Sequence, residues 1–507
     1  MPDRAQDPAA IIDLVNEIEG RFDVVSWTID GLHVWPLVRL RIGFGLIDAF
    51  APETRWSASG GRLDALTERA RWLRSLGAGL AARRSARRRD PSREPSRGQV
   101  AAVFLGSGMS MIDAGGAWYE RVCDPIADCL EERGERSRLL LLSHVYRTPR
   151  HRASSFVQSQ LDFAAARAAL GRRRSPGSTS LGGFDDLLEW FQALHLQLTL
   201  PTPGQLAADV RTLRAQAAIF DRELRDARPR VAFVVGYHGG PGMAFTLACR
   251  TLGIPCVDVQ HGIQSPLHVG YAGWAAVPSA GYEVMPQIYW CWDADDASTI
   301  SAWADGCRST AFVGGNPFLE RWRAGRVPGA AAARSRVLAV TEQDPKRVDV
   351  LWTVPPTLRS TEHVEMMVSA MLRTADQCRW WVRLHPSMEG QREEIRSLVS
   401  SVPSSAIEID EANDLPLHAV LERMGFHVTH SSSVVVEAEA FHVRSIVTSQ
   451  YGAAFMERSL AEGRTVLATT LDEVVSALRQ PAGAPSSGPE PDSCRGLDAL
   501  EQVLADR

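Results

Sequence analysis

From Val100 onward the chain alternates two textures. Short apolar runs rich in Val, Leu, Ile and Trp are separated by stretches whose apolar positions recur every three to four residues, the pattern of βαβ units in a parallel sheet. In the first half the runs predict strands at 100–105, 138–143, 230–235, 256–260, 287–290 and 310–313. Helices are expected over 117–132, 163–170, 203–227 and 242–252, with Pro125 kinking or splitting the first of them. Residues 321–334 read as a bridge of small residues and arginine. A second set then begins, with strands at 337–340, 348–353, 379–384, 407–410, 426–429, 445–448 and 465–468. Its helices are expected over 361–374, 417–424 and 434–441. The expectation is therefore an α/β protein of two Rossmann-like domains facing a cleft, with ligands held outside the carboxyl ends of the strands. No repeat at a solenoid period is present.

Three stretches fall outside the alternation. The first fifty residues read as helical around an aromatic cluster, Trp27, Trp35 and Pro36 among Ile29, Val34, Leu37 and Leu40. From Arg69 to Arg97 there are ten arginines and no lysine. A solvated linker is the plain reading of that stretch. The alternative is a basic patch on anionic lipid, worth ~1 kcal/mol per basic residue near a charged leaflet, with Leu73, Leu76, Leu80 and Ala81 along one face. The Pro-, Gly- and Ser-rich run from Gln480 reads as a flexible tail ending in one short helix. The expected boundaries are 1–98 (helical segment and Arg-rich linker), 99–325 and 326–478 (the two Rossmann-like domains) and 479–507 (tail).

Composition narrows the class. The 507 residues are 45% hydrophobic and 23% charged, which excludes wholesale disorder. Lys and Arg number 55 against 60 Asp and Glu, a net charge of −5, so a nucleic-acid coat is not expected. No apolar run approaches the ~18 residues that span a bilayer, and the N-terminus has no secretory pattern. Eight cysteines lie scattered with no CxxC pair, which suggests reduced thiols and no disulfide framework. The chain reads as cytoplasmic, with a peripheral position at the inner face of the membrane left open by the arginines.

Candidate chemistry sits where strands end. Arg383-Leu384-His385-Pro386 leaves the strand CRWWV; proline forces a turn and strands His385 at the carboxyl edge. There it either caps local carbonyls or donates to a phosphate, with Arg383 as a second, forked donor. His430-Ser431-Ser432-Ser433 opens the helix at 434. Serines cap the free N–H groups of a helix start, and the same groups form an anion site. Glu437, one turn on, could accept from a ribose diol, or simply face solvent. In the first half Gln260-His261-Gly262 delivers a second histidine to a carboxyl edge, where a neutral imidazole suits deprotonation of a hydroxyl. Gly236-Tyr237-His238-Gly239-Gly240 is a turn that lets a ligand approach backbone; it matches neither a dinucleotide fingerprint nor a P-loop. Gly106 and Gly108 form a similar open loop, with Asp113 and Glu120 following. Asp293-Ala294-Asp295 reads as an acidic helix start rather than a metal motif. With histidines dispersed one per motif, no metal site is expected.

Taken together, RLHP, HSSSVVVEAEAF, QHG and Gly314-Gly315-Asn316-Pro317 resemble the GT-B glycosyltransferases. The resemblance is to bacterial capsule and surface-polysaccharide enzymes, the group of Kdo transferases, polysialyltransferases and CDP-glycerol glycerophosphotransferases, and it spans roughly 231–451. It implies that His385 and Pro386, with Ser431, Ser432 and Ser433, contact the phosphate and ribose of a cytidine nucleotide, and that His261 lies at the cleft. The acidic pair with glycine that polysialyltransferases carry in the first domain is missing. The base is therefore sought among His261, Asp113 and Glu283, in that order. Arg383 and Glu437 complete the donor site; Gly106, Gly108, His238, Gly239, Gly240, Gln260 and Asn316 line the cleft or acceptor side.

The expected activity is a metal-independent, inverting transfer from a nucleotide-sugar substrate to a glycan or polyprenol-linked acceptor, with no cofactor. Charge on the leaving phosphate would be met by N–H groups, hydroxyls, imidazole and guanidinium. Two alternatives stand beside it. One is a non-hydrolysing UDP-sugar epimerase, which needs a carboxylate-rich cleft; the other is a non-catalytic glycan-binding subunit of the same fold.

Overall fold

In the computed structural model, which describes residues 8–50, 98–170, 179–196, 198–354, 361–481 and 494–506, two all-parallel sheets account for the alternating texture. The first contains β1 (Ala102–Ser107), β2 (Ser137–Leu142), β3 (Ser154–Phe156), β4 (Val231–Val234), β5 (Cys256–Val259), β6 (Ile288–Cys291) and β7 (Thr310–Val313). Their spatial order is β7-β6-β5-β4-β1-β2-β3. The second contains β8 (Val348–Val354), β9 (Cys378–Leu384), β10 (Ile407–Glu408), β11 (Phe426–Thr429), β12 (Arg444–Val447) and β13 (Thr465–Leu467), in the order β10-β9-β8-β11-β12-β13. Each sheet thus reverses winding between its first and fourth strands, β1/β4 and β8/β11, the switch points at which doubly wound sheets take their ligands. Helices cover both faces, so central strands such as β4, β5, β6 and β11 are buried at every position.

Strand and helix positions follow the apolar pattern closely, and the helices Pro203–Ala227 and Thr361–Thr374 fall where expected. The first begins with Thr202 accepting from the Gln205 N–H and proline at its first turn, a complete capping box. Two expectations fail. Residues 337–340 are not a strand but the end of the helix Ala330–Thr341, which buries Ala330, Ala333, Val337 and Thr341 along one stripe. Helix-favouring Ala, Arg and Leu outweigh two valines there. Residues 117–132 divide into a short hairpin, Met111–Asp113 with Trp118–Glu120, and a helix starting only at Cys123. Pro125 lies in that helix's first turn, where no N–H is needed, so it produces no kink.

The N-terminal residues belong to the first lobe. The helices Pro8–Arg21 and Trp35–Phe50 share one hydrophobic core with β1, β2 and β4, and Trp27 and Trp35 are fully buried in it. The buried carboxylate of Glu19 ties them down: it accepts from Trp35 Nε1 (2.7 Å), Arg39 Nη1 (2.5 Å) and the Ala276 N–H (3.0 Å). At the other end the tail returns to the first lobe. The helix Arg495–Ala505 buries Leu497 and Leu500 against Phe312 and Ile126 in the first lobe's second core. Gly496 lies so close to Trp290 that a Cβ would meet the ring at 2.1 Å. Cys494 is joined by a disulfide to Cys129 across 365 positions, contrary to the expectation of free thiols throughout. That pairing depends on the returning helix and has no signature in local spacing. The Arg-rich run from Arg69 to Arg97, with Leu73, Leu76, Leu80 and Ala81, lies outside the described residues, as do residues 482–493 of the tail. No helix among the described residues is long and apolar enough to cross a membrane.

Candidate active site

The carboxyl ends of the two sheets meet at a narrow pocket. The first lobe contributes Gln260 and His261 from the exit of β5, Asn316 from the exit of β7, and Arg121 from the loop after the hairpin. The second lobe contributes His418 and Glu437. Arg121 Nη1 donates to Glu437 Oε1 at 2.9 Å, an ion pair between lobes. His418 Nε2 lies 3.6 Å from the same oxygen, and its ring stands edge-on to Phe318 with centroids 4.6 Å apart. Burial, with Arg121 and Arg383 nearby, drives the His418 pKa well below the usual imidazole value, so the ring is neutral. The space within it is about 20 Å³, room for about one water molecule and too little for a nucleotide.

The second-lobe motifs arrive at one edge, on strands either side of β8. Leu384 of β9 pairs with Val354 of β8, and Thr353 of β8 pairs with Thr429 of β11. His385 and the serine run thus leave the same edge with β8 between them, about 10 Å apart at two strand spacings. His385 is half-buried and its imidazole is held below the usual value by desolvation. Pro386 is exposed and opens a short 3₁₀ turn. Ser432 accepts from the Val434 N–H at 3.3 Å, its own N–H donates to Thr429 Oγ1, and Ser433 is exposed. Ser431 Oγ lies 3.4 Å from His430 Nδ1. The helix they open, Val434–Ala440, has only seven residues. Glu437 is buried and paired with Arg121, which corrects the reading of a solvent-facing side chain.

Arg383 is half-buried, and its Nη1 donates to the carbonyls of Ala412 (2.6 Å) and Leu415 (2.8 Å), which staples the segment after β10 to β9. Arg383 is still paired with Thr353 inside β9, whereas His385 lies past the last pair, Val354 with Leu384, where the chain turns at Pro386.

In the first lobe, His261 lines the inter-lobe pocket, with its pKa lowered chiefly by burial and its Nδ1 buried without a hydrogen-bond partner among the described residues. Gln260 is a second correction. Its amide is consumed, donating to Gly262 O and Asp296 Oδ2 and accepting from the Trp292 N–H, so it fixes the exit of β5 instead of reading a ligand. Asn316 caps the helix Pro317–Arg323 through the Leu319 N–H. Asp113 is exposed and accepts from the Gly116 N–H, which makes it a turn-former in the hairpin. Glu283 is the third correction: it precedes β6, at the amino edge, and pairs with His33 at 2.8 Å, so it cannot serve the cleft as a base. Gly106 packs on Glu120 and Cys123, and Gly108 on Ser143. Glu120, fully buried with one oxygen unpartnered among the described residues, has its pKa raised to about 7 by desolvation. His238, Gly239 and Gly240 lie beyond His261, at the switch point of the first sheet.

Sequence reasoning missed Arg121 and His418. Arg121 follows a hairpin strand in no recognisable motif. His418 sits in an apolar helix, LPLHAVL, where an imidazole reads as core.

The sequence matches no family model and no curated protein. Among solved structures it is similar to a putative UDP-N-acetylglucosamine 2-epimerase from Listeria monocytogenes, at 13% identity and a TM-score of 0.49 over 81% of this chain and 96% of that one. It is similar to the UDP-GlcNAc 2-epimerase of Methanocaldococcus jannaschii in complex with UDP-GlcNAc and UDP, at 13% and 0.49 over 80% and 99%. It is also similar to the glycosyltransferase SnogD from Streptomyces nogalater, at 14% and 0.37 over 81% and 96%. Likenesses this distant assign no activity to the chain.

Proposed function

We propose that the protein is an enzyme that takes a nucleotide-activated sugar between its two lobes and transfers the sugar to a hydroxyl acceptor. One observation carries this reading: the exits of two doubly wound sheets converge on a single pocket walled by a guanidinium and neutral imidazoles, Arg121, His261 and His418, with His385 on the adjoining edge. Departure of a nucleotide builds charge on phosphate, which such donors stabilise, and a neutral imidazole can accept the proton of an attacking hydroxyl. In this reading His385, Pro386 and Ser431 to Ser433 hold the nucleotide end, and His261 is the base. The about 10 Å between His385 and the serines suits a ligand spanning phosphate and ribose better than a lone anion. The resemblance of RLHP and HSSSVVVEAEAF to surface-polysaccharide transferases supports a cytidine-activated donor and a glycan or lipid-linked acceptor.

The test is a thermal-shift series with CMP, CDP, UDP, GDP and TDP on the wild type and on His385→Ala, since a ligand of the native state raises its melting point by mass action. A shift with one nucleotide family that disappears in the variant is the expected result. No shift with any nucleotide removes the reading.

A second reading rests on Glu120. A carboxyl held near neutrality beside Gly106 suits proton transfer at carbon, the chemistry of a UDP-sugar epimerase. Incubation with UDP-N-acetylglucosamine and no acceptor separates the two: a new nucleotide-sugar identifies epimerisation.

A further inference from the structure

A second, larger pocket lies on the first lobe, and the N-terminal helix builds one of its walls. It measures about 430 Å³. Leu40 and Phe44 come from the helix Trp35–Phe50, Thr212 and Leu213 from Pro203–Ala227, and His238 and Met243 from the start of Gly240–Leu252. Arg41 and Asp209, both on its wall, pair with each other at 2.8 Å, so the charged groups of the lining cancel among the described residues. The polar surface that remains is a hydroxyl, the amide of Gln216 and the imidazole of His238.

His238 connects this pocket to the candidate active site. Its ring lies nearly parallel to that of His261, with centroids 6.1 Å apart and planes at 27°. His238 lines the larger pocket and His261 the inter-lobe one, so a single layer of two imidazoles separates them. Phe44 leans over the same side, 5.7 Å from His238 and 6.2 Å from His268. Burial keeps all three imidazoles uncharged at neutral pH, with His268 lowered to about 4.

A chamber whose described lining is largely apolar and carries no net charge, with a few hydrogen-bonding groups and a histidine at the end nearest the reactive cleft, fits one kind of guest. We propose that this pocket binds an uncharged, hydroxyl-bearing amphiphile as the second substrate, its apolar body against Leu40, Phe44, Leu213 and Met243 and its hydroxyl directed to His238. The role as acceptor rests on the proposed transfer reaction; the pocket and its ligand chemistry do not. A charged lipid headgroup is disfavoured by the internal Arg41–Asp209 pair, which offers no free charge to meet it. The N-terminal helical segment is then part of a substrate site and not only a cover for the sheet.

The test uses the full chain and octyl β-D-glucoside below its micellar concentration, read by saturation-transfer NMR. Wild type is expected to transfer saturation to the alkyl chain. Thr212→Trp, which fills the pocket from an exposed-side position of a regular helix, is expected to lose at least tenfold of that signal, whereas Thr212→Val, of similar volume, retains it. Nucleotide-induced thermal shifts are expected to be equal in all three proteins, which also shows that the variants are folded. No transfer to wild type, or equal transfer to Thr212→Trp, overturns the proposal. Glucoside binding at this pocket in a protein that responds to no nucleotide overturns the acceptor role alone.

Discussion

Arg121, from the first lobe, and Glu437, from the second, meet at 2.9 Å although 316 positions separate them in the chain. Glu437 is the less exposed partner, its side chain 10% accessible against 28% for Arg121. The pair closes a pocket too small for a nucleotide-sized ligand, so under the proposed function it must exchange partners when the lobes part. A partly buried bidentate-capable pair of this kind couples by roughly 1–2 kcal/mol. In a double-mutant cycle on urea unfolding, Arg121→Met and Glu437→Gln are expected to show that coupling at low salt and less of it at 0.5 M salt. Strict additivity of the two substitutions would show that the contact does not hold the lobes together.

Arg383 makes an opposite prediction from the one its sequence motif suggests. Its Nη1 makes two half-buried bonds, to the carbonyls of Ala412 and Leu415. Removing the guanidinium leaves both carbonyls unsatisfied, at about 1–3 kcal/mol each. Arg383→Met is expected to lower the unfolding free energy by about 2–5 kcal/mol, measured by urea denaturation, while the nucleotide response of the folded fraction stays at the wild-type level. A variant of normal stability that no longer responds to nucleotide would return Arg383 to the donor site.

These two residues show what the sequence could and could not convey. Periodicity placed nearly every strand of both sheets, because parallel strands buried on two faces are continuous apolar runs. It also located His261 and His385, since a polar residue followed by glycine or proline at the end of such a run marks an exit. Contacts between lobes were not legible. Arg121 and His418 belong to no local pattern, and their importance arises only from the approach of two separately folded sheets. The same holds for Glu283, whose partner His33 lies in a hairpin of Thr28–Ile29 with Leu32–His33, and for Cys494, whose partner is reached only after the terminal helix returns. Asp113 illustrates the reverse case, where the plain reading of a loop aspartate as a turn-former describes the geometry.

Glu120 links the site to pH. Its ordinary carboxyl value of 4.5 is raised to about 7 by burial. Between those values the folded protein holds a proton that the unfolded chain has released, so stability falls as pH rises from about 4.5 to 7 and levels off above. Glutamine keeps an acceptor for the Val122 and Cys123 N–H groups, which now bond Glu120 Oε2. Glu120→Gln is therefore expected to gain on wild type by up to about 3 kcal/mol between pH 4.5 and pH 7.5, followed by urea unfolding at each pH. A difference that does not change with pH would mean that Glu120 is ionised in the folded state.

His261 gives the sharpest kinetic expectation. Desolvation is the first cause that holds its imidazole below the ordinary value of 6.5. As a base it must be neutral, and the depressed value keeps it so throughout the neutral range. The rate of transfer at saturating donor is expected to be flat above pH 6.5 and to fall on an acid limb lying below that value. His261→Ala is expected to lose at least a hundredfold in kcat, the ordinary contribution of a general base, with donor affinity changed by less than threefold. The pH profile separates a base from a residue that merely shapes the pocket. A shaping role leaves the acid limb of the wild type in place in the variant's residual activity, whereas a base takes the limb away with it. An acid limb centred at or above pH 6.5 in the wild type would pass the proton transfer to another group, and Glu120 and Asp258 are two carboxyls raised to about 7.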